Sequence, residues 1–202
     1  MRTQERLPAA PPTAQRATHR AGQAGHIDIR RAGGEDCDAM AKFLTGLSLQ
    51  TRYLRFFAGV LPANRAMLRI LTGGQGDVTA VVATEKDVII GHAMAAYVPG
   101  ADQASLAHIG VVVADAWQGQ GVGSALMRAL TAAIRDHGTR TMLLEVLPEN
   151  RRVLTMITDR WPAARYERSA DCVTIWATLP AQQGQARVGP PLPAATMAGS
   201  RA

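Results

Sequence analysis

Between the apolar run Val111-Val112-Val113 and a stretch of helical periodicity near Val122, the chain carries Trp117-Gln118-Gly119-Gln120-Gly121-Val122-Gly123-Ser124. Three glycines thus alternate at a helix entrance, and this segment restricts the fold more than any other feature. A run apolar on both faces belongs inside a sheet. A strand that feeds a helix through a glycine-rich turn leaves the first N–H groups of the helix free. Those donors and the helix dipole favour an anion such as a pyrophosphate, and glycine lets the backbone approach it closely. The spacing differs from the commoner nucleotide loops. A dinucleotide fingerprint needs a third glycine where Ser124 stands, and a P-loop needs Gly-Lys-Ser or Gly-Lys-Thr. Taken by itself, the cluster is equally satisfied by tight strand–helix packing.

The remaining periodicities supply a frame for this segment. Residues 27–30 alternate like a strand, and Gly33-Gly34 turns the chain before the acidic start Glu35-Asp36. Met40, Phe43, Leu44 and Leu47 recur at helical steps and predict one buried stripe. Ser48 is placed to cap a second helix with Tyr53, Leu54, Phe56 and Phe57 on its apolar side. A third short helix over 63–71 stops at Gly73-Gly74. Residues 78–83 and 88–97 predict a hairpin about the charged turn Glu85-Lys86-Asp87, and 105–113 a strand ending in the three valines. Val122, Ala125, Leu126, Ala129, Leu130, Ala133 and Ile134 share a helical face, with Ser124, Arg128, Thr131 and Arg135 opposite and Gly138 as the stop. A strand over 141–147, a helix over 149–159 and a closing strand over 173–179 complete the order: strands first, then β-α-β-α-β.

The net charge of +6 raises nucleic acid as a partner, so its location matters. Residues 1–25 and 180–202, rich in Ala, Pro, Gln and Arg, read as disordered tails flanking one domain over 26–179. The tails hold Arg2, Arg6, Arg16, Arg20, Arg187 and Arg201 against Glu5 alone. The body is therefore nearly neutral, and a basic reading face for nucleic acid is not indicated. Cys37 and Cys172 lack the spacing of a zinc site or redox pair. The chain has neither the apolar core of a secretory signal nor a run of about 18 apolar residues, so no membrane association and a cytoplasmic location are expected.

The spacing Gln118-x-x-Gly121-x-Gly123 after Val111-Val112-Val113 resembles the acetyl-CoA motif of the GNAT superfamily of N-acetyltransferases. Leu147-Pro148-Glu149-Asn150-Arg151-Arg152 resembles the segment after that family's fifth strand. Leu47-Ser48-Leu49-Gln50-Thr51-Arg52-Tyr53-Leu54-Arg55-Phe56-Phe57 resembles the GNAT domains of bacterial protein lysine acetyltransferases. The resemblance implies an α+β fold with a mixed, mostly antiparallel sheet splayed at its fourth strand and helices on both faces. It also implies direct acetyl transfer from acetyl-CoA to an amine, a protein lysine by the narrower likeness, without a metal. By the same resemblance Val111, Val112 and Val113 form the strand that pairs with the pantetheine arm. Gln118, Gly119, Gln120, Gly121, Val122, Gly123 and Ser124 hold the pyrophosphate through main-chain N–H groups, and Asn150 reaches the pantetheine amides or caps its helix.

An ammonium group cannot attack a thioester, so the reaction needs a base near neutral pKa. Aligned on Trp117-Gln118, His108 falls where the lysine-acetyltransferase relatives carry a glutamate, and it shares a strand face with Gly110 and Val112. Read without the resemblance, a strand histidine is as well a structural one bonded to a neighbour. Glu145 on the adjacent strand is the reserve base, or else a buried, hydrogen-bonded carboxylate. The position where many relatives carry a tyrosine to protonate the leaving thiolate is Ile157, and no general acid is assigned. The two departures, at His108 and Ile157, motivate the alternative of a non-catalytic acyl-CoA-binding regulatory module.

Overall fold

The computed structural model describes residues 26–59, 64–74, 76–98 and 106–179. The expected tails, 1–25 and 180–202, lie outside these residues, as do Ala63 and Ser105 at the expected ends of a helix and a strand. The chain runs β1 (Ile27–Arg31), α1 (Cys37–Gly46), α2 (Leu49–Phe56), α3 (Arg65–Leu71), β2 (Val78–Glu85), β3 (Val88–Tyr97), β4 (Leu106–Val113), α4 (Val122–Asp136), β5 (Thr141–Val146), α5 (Arg151–Arg160), β6 (Arg165–Arg168) and β7 (Val173–Thr178). Among the described residues the strands form one sheet in the order β1-β2-β3-β4-β5-β7-β6. The β4–β5 pair is parallel and every other pair antiparallel. Among the same residues, no helix is long and apolar enough to cross a membrane.

Period-two alternation divides the strand side chains between two cores. Val81, Ala83, Ala93 and Ala95 face α4, whose Val122, Leu126, Leu130 and Ile134 are buried at helical spacing. Each such side chain contributes about 1.5–3 kcal/mol when fully removed from water. Gly91 lets α4 lie close to the sheet, since a Cβ there would stand 2.8 Å from Cδ1 of Leu126. On the other face Ala80, Val82 and Met94 pack with Met40, Phe43, Leu44 and Leu47 of the α1 region and Leu68 and Leu71 of α3. The expected stripe on α1 is thus buried, and helices cover both faces. The β2–β3 hairpin turns through Lys86 and Asp87, both at positive φ (47° and 66°), as a two-residue turn matching the strand twist requires.

Three local expectations are corrected. The apolar side expected for α2 forms only in part: Phe56 packs against the α1 and α3 core and Leu54 borders the cleft, whereas Tyr53 and Phe57 are 42% and 44% exposed. Beside Leu54, α2 turns Thr51 and Arg55, one helical turn apart and hence on one face, toward β4 and the cleft beside it. Thr131, expected on the polar side of α4, is buried, and its hydroxyl donates to Met127 O at 2.8 Å, which removes the cost of burying it. The charged strand Arg-Tyr-Glu-Arg of β6 has no apolar alternation to announce it. It is an edge strand, where charge is tolerated and discourages pairing with other chains.

Candidate active site

The parallel pairing of β4 with β5 covers only Leu106–His108 against Thr141–Leu143. The antiparallel pairing of β4 with β3 continues to Val113. Beyond Leu143, β5 keeps its pairing with β7 as far as Val146, and so it diverges from β4. Two bonds set the phase of the β3–β4 ladder: Val98 N–H to Leu106 O (3.3 Å) and Ala114 N–H to Ile90 O (2.8 Å). Hydrogen-bonded pairs alternate along such a ladder. The even-numbered residues of β4 therefore bond to β3; the His108–Leu143 pair engages the Ile109 N–H with β5 and the Gln118 side chain takes the Val113 C=O, so the Ile109 C=O, both main-chain groups of Val111 and the Val113 N–H face the gap that β5 leaves. Val112, between them, commits its main chain to β3 and its side chain to the α1 and α3 core. The gap opens a cleft of about 310 Å³ bordered by Val111–Val113, Trp117–Gly119, Gly121, Gly123, Ser124 and Asn150. A free strand edge of this kind accepts an extended ligand as an added strand.

The glycine segment closes one end of this cleft. Gly119 and Gly121 have φ of 78° and 83°, and a Cβ at either would meet no atom within 4 Å. Glycine is required there for the left-handed backbone rather than for space. Gly123 lies inside the first turn of α4, where a Cβ would come 3.7 Å from Met156 Sδ and from Val113 Cγ2. Ala125 N–H donates to Gly121 O at 3.0 Å, while among the described residues the N–H groups of residues 119–124 have no backbone partner. Six free donors at the entrance of a 15-residue helix suit a diphosphate. Gln120 turns its side chain back to Ala116 O (2.7 Å), and the Val122 side chain is buried in the core, so each offers the cleft its main chain alone.

Gln118 braces the cleft mouth. Its Nε2 donates to Val113 O and to Thr51 Oγ1, both at 3.0 Å, and its Oε1 accepts from Arg152 Nη1 at 2.8 Å. Thr51 in turn donates to Asp115 Oδ1 at 2.7 Å. Helices α2 and α5 are thereby tied across the β4–α4 turn. Asn150 caps α5, its Oδ1 accepting from Val153 N–H at 3.4 Å, and it also borders the cleft. Arg152, Val153 and Met156 of α5 complete that wall.

Both candidate bases lie past the end of the cleft. His108 is exposed on the β4 face shared by Gly110 and Val112, and opposite Leu143 in the register. Glu145 is two residues beyond Leu143 and so on the same face. It is exposed and not the buried carboxylate of the alternative expectation. Among other titratable or hydroxyl groups, Tyr97 bonds Thr79 at 2.8 Å and stacks near His137, and Tyr166 bonds Thr158 at 3.1 Å. Neither tyrosine borders the cleft. Ile157 is fully buried in the α4-side core, so α5 faces the cleft with Val153 and Met156 instead.

Arg55 is a cleft residue to which sequence reasoning assigns no role. Its guanidinium lies directly over Gly110, where any Cβ would collide with it. The residue keeps some exposure at the cleft, yet its Nε is enclosed without a hydrogen-bond partner among the described residues. Burial pulls the Arg55 guanidinium down to about 10. Beneath it His92 is fully buried, its Nε2 2.8 Å from Leu71 O. Burial first, then the Arg55 charge, lower its pKa to about 4, against the opposing effect of the Leu71 carbonyl. The available signal for Arg55 is its four-residue spacing from Thr51 within Thr51-Arg52-Tyr53-Leu54-Arg55.

Among the described residues no cluster of His, Cys, Asp and Glu side chains is arranged to hold a metal. The family model described as acetyltransferase (GNAT) family matches residues 49–157. Comparison of the sequence with curated proteins finds no match. Among solved structures, the GNAT domain of S. lividans PAT superposes with a TM-score of 0.67 at 25% identity, covering 75% of this chain and 89% of that one. The putative acetyltransferase yncA from Salmonella typhimurium, solved with acetyl-CoA, gives a TM-score of 0.60 at 15% identity over 79% of this chain and 96% of that one. The paia N-acetyltransferase from Thermoplasma acidophilum, in complex with coenzyme A, gives 0.60 at 12% identity over 76% and 99%.

Proposed function

The chain belongs to the acetyltransferase (GNAT) family and is an acetyl-CoA-dependent N-acetyltransferase, and from this premise we propose that it acetylates a protein lysine by direct attack, with His108 as general base. The observation that carries the reading is the broken pairing of β4, which puts the open edge at Val111 and the Val113 N–H in one cleft with the N–H groups of the glycine segment. Val111 and Val113 would hold the pantetheine arm as a neighbouring strand, Gly119 to Ser124 the diphosphate, and Gln118 and Asn150 the cleft mouth around them. His108 takes the proton that the ammonium must lose, the amine nitrogen attacks the thioester carbonyl, and the thiolate departs to be protonated by solvent. Glu145 on the same open face is the reserve base, directly or through water.

Two observations favour a protein acceptor. The likeness at 25% identity is to the GNAT domain of S. lividans PAT, and the face carrying His108 and Glu145 is exposed, which admits a lysine on a bulky partner. With Cys37 and Cys172 both free, the enzyme on this reading is cytoplasmic. Mass spectrometry of candidate acceptor proteins incubated with acetyl-CoA tests it, comparing wild type with His108→Ala and Glu145→Gln. His108→Ala is expected to bind acetyl-CoA as wild type does and to lose transfer by about 100-fold or more. Undiminished transfer by His108→Ala, with loss in Glu145→Gln, moves the base to Glu145.

A further inference from the structure

We propose that Arg55 is the receptor for a carboxylate on the acceptor, so that the amine acetylated is one carrying an anionic group close to its nitrogen. The inference rests on the acetyltransferase reading and names the substrate class of that same cleft. A guanidinium whose Nε is enclosed and whose outer end faces only the cleft is costly to keep without a counter-charge. Among the described residues the ion pairs are His26–Asp28, Arg30–Asp36 and Arg165–Glu167, and Arg55 is in none of them. Its one stacking contact is the neighbouring Phe56 ring, 4.7 Å from Cζ. The fold nevertheless reserves its place. Gly110 leaves bare backbone for the guanidinium to lie on, and the bonds from Ser48 and Thr51 to Asp115 fix α2 against the β4–α4 turn.

The position of Arg55 along the cleft decides which ligand it serves. The diphosphate cradle follows Val113, whereas Arg55 sits at Gly110, three residues and about 10 Å earlier on β4. That is the end at which amine and thioester meet. An acetyl group brings no negative charge there, so the anion must arrive with the acceptor. A simple alkylammonium or a polyamine is repelled by the unpaired cation, whereas an amine paired with a carboxylate satisfies it through charge-assisted hydrogen bonds. The carboxylate comes from a small amino acid or from an acidic residue beside a lysine in a protein.

Calorimetry on the full chain loaded with coenzyme A separates these sources through two matched pairs of ligands. One pair is 4-aminobutyrate and butylamine. The other is a lysine pentapeptide flanked by aspartates and its asparagine counterpart. The carboxylate member of at least one pair is expected to bind about tenfold tighter or better, as a charge-assisted hydrogen bond implies. Arg55→Met abolishes that preference, and Arg55→Lys retains part of it. Gly110→Ala displaces only the end of a flexible side chain, so it keeps the fold and reproduces the Arg55→Met loss. The proposal is overturned if neither pair shows a preference, if the preference survives Arg55→Met, or if Arg55→Met weakens coenzyme A itself about tenfold, which assigns Arg55 to the cofactor. Thiol release from acetyl-CoA across the same amines is read separately. Its complete absence sinks the acetyltransferase reading and leaves the binding preference to stand or fall alone.

Discussion

Ser48 donates both its hydroxyl and its backbone N–H to the carboxylate of Asp115, at 2.6 and 2.9 Å, across 67 residues of chain. Thr51 adds a third bond at 2.7 Å. Burial acts to raise the Asp115 pKa, but the Ser48 hydroxyl, the Ser48 N–H and the Thr51 hydroxyl outweigh it and hold the carboxyl below its ordinary value. This is the join between α2 and the turn that carries the glycine segment.

Asp115→Ala should therefore loosen the cleft as well as the fold. Because the carboxylate is exposed, the expected cost is modest, about 1 kcal/mol, seen as a lower urea midpoint with unchanged m-value. The folded pKa lies below the unfolded one, so the stabilisation is complete above the ordinary carboxylate range and fades as pH falls through the folded value. The acid limb of the stability curve should be shallower in Asp115→Ala than in wild type. Calorimetry should also show weaker acetyl-CoA binding, since Gln118 loses its oriented Thr51 partner.

Gly121→Ala tests the left-handed backbone. With open space around the site, the cost is conformational alone, about 1–2 kcal/mol. Acetyl-CoA affinity should drop in calorimetry because the N–H groups of the turn rotate away from the cleft. Gly121→Asn, which tolerates this conformation better, should recover part of both losses.

His92 makes stability fall on the acid side of neutrality. Its folded pKa is about 4, below the unfolded value of about 6.5. Between these values the unfolded chain binds a proton that the native state does not. Stability is therefore constant above about pH 6.5, declines on the order of 3 kcal/mol as pH drops toward 4, and levels off below that for this group. Urea unfolding at a series of pH values should show this slope, and His92→Gln should flatten it even though the variant is less stable throughout.

Gly91→Val should be the most damaging of these changes to folding. The first added carbon would stand only 2.8 Å from Cδ1 of Leu126 and 3.3 Å from Cγ1 of Val122, and with two further methyls α4 must move off the sheet. Overpacking of this kind costs about 1–3 kcal/mol, which thermal unfolding would register as a lowered midpoint.

Much of the glycine end of the cleft is legible in the amino-acid sequence. The glycine-rich turn into α4, the cap at Ser48 and the cap at Asn150 are short-range properties that a few neighbouring residues impose; the left-handed φ of Gly119 and Gly121 is the structure's addition. Equally legible are the buried stripe of α1 and the positions Val122, Leu126, Leu130 and Ile134 of α4, whereas Ala125, Ala129 and Ala133 are only half-buried and Thr131 and Met127, a hydroxyl bonded within its own helix and a flexible thioether, join the core. The orientation of α2 is not legible in the same way. Its aromatic residues predict an apolar side by count, yet the Asp115 bonds and the bare backbone at Gly110 turn Thr51 and Arg55 inward instead.

By itself, the sequence determined the turn at the glycine segment, the alternation of the strands and the helix that follows, because backbone preference and side-chain period act over a few residues. Only the tertiary structure decided that β4 and β5 part after His108 and Leu143, that His108 and Glu145 share an open face, and that Arg55 lies over Gly110 with no ion pair among the described residues. These depend on which strand a residue pairs with and which helix crosses it, and such relations arise between segments far apart in the chain.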